Sequence, residues 1–157
     1  DPLFAHYGEA RLPLVTGEGK SARVVAGKMF GARSPVETLH ETFFADVSLE
    51  AGASVPLDAD YEERAIYTVS GEIEIAGDKF NEGRLLVFKP GDEITVRASA
   101  PSRIVMLGGA PMDGPRFIWW NFVSSRKERI EAAKADWKAG RFEGVPGDDE
   151  FIPLPER

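Results

Sequence analysis

The chain has 157 residues, enough for one domain with a sizeable core and too few for two full ones. Its 26 acidic residues outweigh 19 basic ones, and the net charge of −7 argues against a nucleic-acid surface, leaving a protein or a small molecule as the natural partner. With no cysteine there is neither a disulfide framework nor a thiolate metal site, and no apolar run approaches the roughly 20 residues of a membrane span, so a cytoplasmic location is expected.

In chain order, residues 1–20 read as a linker-like segment, with Pro2 and Pro13 and no initiator Met, an opening expected of a fragment of a longer protein or of a processed mature form. Residues 21–27 have the β-branched content of a strand. Residues 42–49 alternate, with Phe43, Ala45, Val47 and Leu49 on one face, which is a strand with one buried side. Residues 65–70 form a largely buried strand, and residues 72–75 alternate charge with isoleucine ahead of Gly77-Asp78, the expected hairpin turn. Residues 84–88, 93–98 and 103–107 give three further strands. Strands recurring about every ten residues define an antiparallel all-β sandwich or barrel. Residues 117–123, FIWWNFV, are expected to be its last strand, with Trp119 and Trp120 facing opposite ways, so that one of them meets another element or domain. Ser125 and Glu128 are spaced as a capping box for a helix ending at Gly140, with Ile130, Ala133 and Trp137 on one stripe. An extended, proline-containing tail over residues 141–157 follows.

The candidate site lies in residues 52–71. Gly52, Asp58, Asp60, Arg64 and Gly71 stand at the spacings of the first cupin motif, G-x5-H-x-H-x3-E-x6-G, and the stretch resembles that motif with its three metal ligands replaced. The imidazoles that suit iron, copper or zinc are absent, and a guanidinium has no lone pair to donate. After Gly83 and Pro90-Gly91, the place of a further His is held by Ile94. Asp58, Asp60, Arg64 and Ile94 are therefore the ligand-pocket candidates, and three readings of the charged trio stay open. It is a solvated loop mouth with a surface ion pair, a polar pocket for a small ligand, or an oxygen-ligated cation site that Arg64 would oppose. No catalytic residue and no metal ligand is assigned. His6 and His40 lie outside the motifs and read as surface or linker histidines, Gly108-Gly109 reads as a turn, and no Ser has a His near it to act as its base.

The end of the chain, WWNFVSSRKERIEAAKADWKAGRF followed by VPGDDEFIPLPE, resembles bacterial pirin-family proteins, as do RVVAGKMFG, the altered motif and LLVFKPGD. The resemblance spans essentially the whole sequence. It implies an all-β cupin-type antiparallel barrel, or double-stranded β-helix (jelly roll), over residues 21–123, a helix over 124–140 and an extended tail over 141–157. Pirins are bicupins in which the N-terminal barrel binds iron through three His and one Glu, and some have quercetin 2,3-dioxygenase activity. The resemblance thus implies a second, metal-free domain, with no cofactor of its own and Fe only in an N-terminal cupin that this chain lacks. Its principal partner would be that N-terminal cupin, with a second copy or another protein as the other occupants, contacted through Trp119, Trp120 and Trp137. The alternative is a non-catalytic small-molecule or protein-interaction module.

Overall fold

The computed structural model describes residues 5–144 and 146–155. In chain order its strands are β1 (Leu14–Gly17), β2 (Lys20–Ala26), β3 (Lys28–Met29), β4 (Ala32–Arg33), β5 (Thr42–Leu49), β6 (Ser54–Leu57) and β7 (Glu63–Ser70). They continue with β8 (Glu72–Ile75), β9 (Asp78–Asn81), β10 (Leu85–Phe88), β11 (Ile94–Ala98), β12 (Ser102–Gly109), β13 (Phe117–Trp119) and β14 (Phe122–Ser124), before the helix α1 (Lys127–Lys138). The chain divides into two compact units, residues up to Pro111 and residues from Met112 onward.

Period-two alternation decides what each strand of the first unit buries. In β5, Phe43, Ala45, Val47 and Leu49 are buried, the set expected from the sequence. Val24 of β2, Val55 and Leu57 of β6, Ile66 of β7, Ile73 of β8, Val96 of β11, and Ile104 and Met106 of β12 join them in one core. The strands form two antiparallel sheets, six-stranded in the order β1-β2-β5-β12-β7-β10 and four-stranded in the order β6-β11-β8-β9, with the shared core between them. This is a two-sheet jelly roll and not a closed barrel. The glycines of the motif frame hold it in shape. Gly52 has φ +83° in the turn between β5 and β6. Gly71, at φ +84°, packs so closely that a Cβ would overlap the Pro101 carbonyl and the Ser102 hydroxyl.

Four local expectations are corrected. Residues 14–17 of the linker-like opening are strand β1, paired antiparallel with β2, because their backbone groups find partners along Lys20–Arg23. The β8–β9 hairpin turns at Ala76-Gly77, one residue earlier than Gly77-Asp78, since Ala76 and Gly77 both take the positive φ (52° and 90°) that a two-residue turn needs. Gly108 and Gly109 lie inside β12, not in a turn, and a Cβ at Gly108 would overlap the Glu63 carbonyl oxygen and the Phe43 ring. Residues 117–123 form no single strand of the jelly roll. They make the β13–β14 hairpin, turning at Trp120-Asn121 with Trp120 at φ 50°, and belong with α1 in the second compact unit.

The helix is shorter than residues 125–140 and starts differently. Arg126 holds the N-cap position without a side-chain cap, while Ser124 Oγ accepts the Arg126 N–H at 3.2 Å. The expected Ser125–Glu128 capping box is not formed, because helical geometry begins two residues after Ser125. The apolar stripe survives this shift, with Ile130 buried and Ala133 and Trp137 half-buried.

Candidate functional site

Arg64 lies on the inward side of β7 with Ile66 and Thr68 and is 1% exposed, the largest of the fully buried side chains. Its Nη2 donates to the Lys89 carbonyl at 3.0 Å and Nη1 reaches the Asp58 carbonyl at 3.4 Å, while Nε has no partner. Asp58 and Asp60 sit in the loop before β7, both exposed, and Asp58 Oδ1 accepts the Asp60 N–H at 3.0 Å. The ion pair that one of the three readings would use is not formed: Arg64 meets the backbone of Asp58, and the two aspartates are exposed. The reason is strand parity, which turns residue 64 into the core while the preceding loop stays in solvent. Tyr61, also buried, closes the loop by donating its hydroxyl to the Lys28 carbonyl at 2.9 Å and packing on Phe43 with ring centroids 4.5 Å apart.

Asp58 and Ile94 do come together. They line a cavity of about 440 Å³ with Phe30, Leu57, Glu93 and Thr95, across the Ile94–Leu57 pair of β11 and β6, whereas Asp60 and Arg64 are not in its wall. Among the described residues, no three His, Cys, Asp or Glu side chains converge to hold a metal ion. The donors at the motif places do not fit non-haem iron, which needs imidazole and carboxylate lone pairs at one point, and a buried guanidinium offers only N–H groups. His6 is exposed, and His40 Nε2 bonds the Ala110 carbonyl at 2.8 Å.

In the second unit, Trp119, Trp120 and Trp137 gather into one aromatic cluster with Phe122, Phe142 and Phe151. Trp120 meets Trp137 edge-on at 5.2 Å, Trp119 stacks on Phe122 at 6.2 Å, and Lys134 Nζ lies 4.7 Å over the Trp119 ring. All three indoles are half-buried, so they face mainly one another.

The open apolar surface is elsewhere. On the outer face of the six-stranded sheet the registers place Phe44, Leu107, Ala65 and Val87 in one row across β5-β12-β7-β10, and Val105, Tyr67 and Leu85 in the next. Val87 is 76% exposed, Leu85 58%, Tyr67 40% and Phe44 37%, and β10 is the edge strand. Toward β2 the same face turns charged, with Asp46 paired to Arg103, whose guanidinium is held more firmly protonated by that hydrogen bond. Sequence reasoning missed this patch. The continuous apolar runs AIYTV and LLVF carried the signal, since apolar residues on both sides of a strand require cover on both sides.

Two antiparallel sheets around one core, with the cupin motif glycines at their turns and other residues at the ligand places, define a cupin jelly roll without the usual ligand set. The family model of the pirin C-terminal cupin domain matches residues 44–143. The chain belongs to this family. It is 48% identical to a pirin-like protein of Caulobacter vibrioides, covering 99% of this chain and 54% of that one. A Pseudomonas aeruginosa protein named provisionally as a quercetin 2,3-dioxygenase is 28% identical, over 88% of this chain and 44% of its own length. A crystal structure of quercetin 2,3-dioxygenase from Acinetobacter baumannii superposes with a TM-score of 0.84 at 23% identity, covering 100% of this chain and 55% of that one. The chain spans about half the length of these relatives.

Proposed function

We propose that this chain is the metal-free, non-catalytic cupin of a cytoplasmic two-cupin protein, and that it docks on and supports an iron-binding N-terminal cupin of the quercetin 2,3-dioxygenase class. The observation that carries the reading is the apolar outer face of the six-stranded sheet, where Leu85, Val87, Tyr67 and Phe44 stand exposed. A sheet face that meets only water alternates polar outward, and this one does not. Covering apolar surface is worth roughly 25 cal/mol per Å², so a second domain laid on these rows would be held there. The donor set at the motif supports the metal-free part. Arg64 places N–H groups where an iron ligand would need a lone pair, and Asp58 is exposed in the loop before β7. The cupin core is then kept as a scaffold while its site is filled.

The test is to express the chain joined to its upstream coding sequence and, separately, alone, and to measure metal content and quercetin consumption in each. The joined protein should hold about one iron per polypeptide and the single chain none. Val87→Glu with Leu85→Glu should loosen the two halves, lowering the melting temperature of the joined protein more than that of the single chain. Stoichiometric metal in the single chain, lost on Asp58→Ala, would refute the metal-free reading. An upstream sequence without a cupin would refute the partner.

A further inference from the structure

We infer that the second unit carries a docking site for a basic segment of a partner polypeptide, one Lys or Arg side chain of which enters a cavity walled by Trp137, Phe142, Phe151 and Ile152. The cavity holds about 230 Å³, and its rim carries Glu143, Asp148 and Glu150. No Lys or Arg lines it. Of the neighbouring cations, Arg141 pairs with Asp136 at 2.5 Å and Lys134 with Glu131 at 3.0 Å, while the exposed Lys138 does not line the cavity. Among the described residues, Glu143, Asp148, Asp149 and Glu150 enter no ion pair and all are exposed, so the rim's charge is unanswered.

The walls are fixed before any ligand arrives. Trp137 Nε1 donates to the Ile152 carbonyl at 2.8 Å, which pins the tail to the helix and satisfies the indole N–H. Phe142 stacks on Phe122 at 5.9 Å, and Phe151 stacks on Trp137 at 6.1 Å. Aromatic faces and carboxylates both favour a cation, and an apolar wall favours one carried on a methylene stem. The volume is below the roughly 300–1,000 Å³ of pockets for drug-sized ligands, and it suits a single side chain. The carboxylates continue past the cavity along residues 143–150, so the complementary object is a chain bearing several positive charges in succession. This site stands whether or not the jelly roll docks on a second cupin.

The experiment titrates the whole chain with an octapeptide rich in Lys and Arg, and with the same peptide carrying Gln at those places, following the Trp137 indole N–H resonance. The basic peptide should bind, shift that resonance and weaken as salt rises, and the Gln peptide should not bind. The triple variant Glu143→Gln, Asp148→Asn, Glu150→Gln should weaken binding about tenfold, a few-fold for each exposed charge. Its far-UV spectrum should be unchanged, since Asn at 148 can still accept the Glu150 N–H that Asp148 Oδ1 accepts at 2.9 Å. Phe151→Ala should weaken binding further by removing a wall. Equal binding of the Gln peptide, full affinity in the triple variant or an unmoved Trp137 resonance would overturn the proposal. So would n-butylammonium binding as tightly as the peptide, which would assign the cavity to a small cation.

Discussion

At position 64 the side chain points inward because Glu63–Ser70 alternates, and the strand delivers a guanidinium to the interior whatever its charge costs. Two carbonyls, of Lys89 and Asp58, accept from it. Arg64→Met keeps the length and removes the buried charge, and it should leave stability within about 1 kcal/mol of the parent in urea unfolding. Arg64→Glu returns a carboxylate to the ligand place, where it faces two acceptors with nothing to donate, and should cost about 3–5 kcal/mol. The motif glycines separate in the same way. Gly52→Ala meets open space and should cost about 1–2 kcal/mol for its positive φ alone. Gly71→Ala adds overlap with Pro101 and Ser102, so its midpoint should fall further in the same assay.

Among the elements, α1 begins at a residue of extended backbone whose side chain caps nothing. Arg126 has the conformation of an N-cap, φ −129° and ψ 126°, and Arg126→Ser should stabilise the helix by about 1 kcal/mol, while Ser125→Ala should leave thermal unfolding unchanged. In β8 and β9, the hydrogen bond from Lys79 to Glu72, 2.8 Å long, holds the Glu72 carboxyl below its ordinary range and raises the Lys79 ammonium above its own. Stability from the lowered carboxyl is complete above its unfolded value and is lost as pH falls through the folded one. Stability from the raised ammonium is lost as pH rises through its folded value. Glu72→Gln should therefore flatten both flanks of the melting temperature against pH. Alternation made β5 legible residue by residue in the sequence, and the helix stripe was equally plain. The cap was not, since Ser124, Ser125 and Arg126 are all plausible starts and only the backbone angles choose between them.

For the whole molecule, the exposed rows on the outer face set how the chain behaves without a partner. The single chain should associate with itself at high concentration through Leu85 and Val87, and Val87→Glu should return it to a monomer in light scattering. Replacing Trp119 should instead disturb the aromatic cluster of the second unit without changing the association, because its ring packs on Phe122 and under Lys134. A strictly monomeric parent chain would remove the case for a covered face.

The sequence by itself determined the all-β class, the buried side of β5, the cupin frame from Gly52 to Gly71 and the loss of the usual ligands, because each depends on spacing along one strand or on the chemistry of one side chain. It also contained the three tryptophans, but not their arrangement. Only the tertiary structure decided that FIWWNFV folds back as a hairpin, that Asp58 and Arg64 do not pair, and that the open surface lies over Leu85 and Val87. Each of these depends on what packs against a strand from elsewhere in the chain. An apolar run such as LLVF reads the same whether its second face is covered or bare, and the sheet order that leaves β10 at the edge is a property of long-range pairing, which no local pattern encodes.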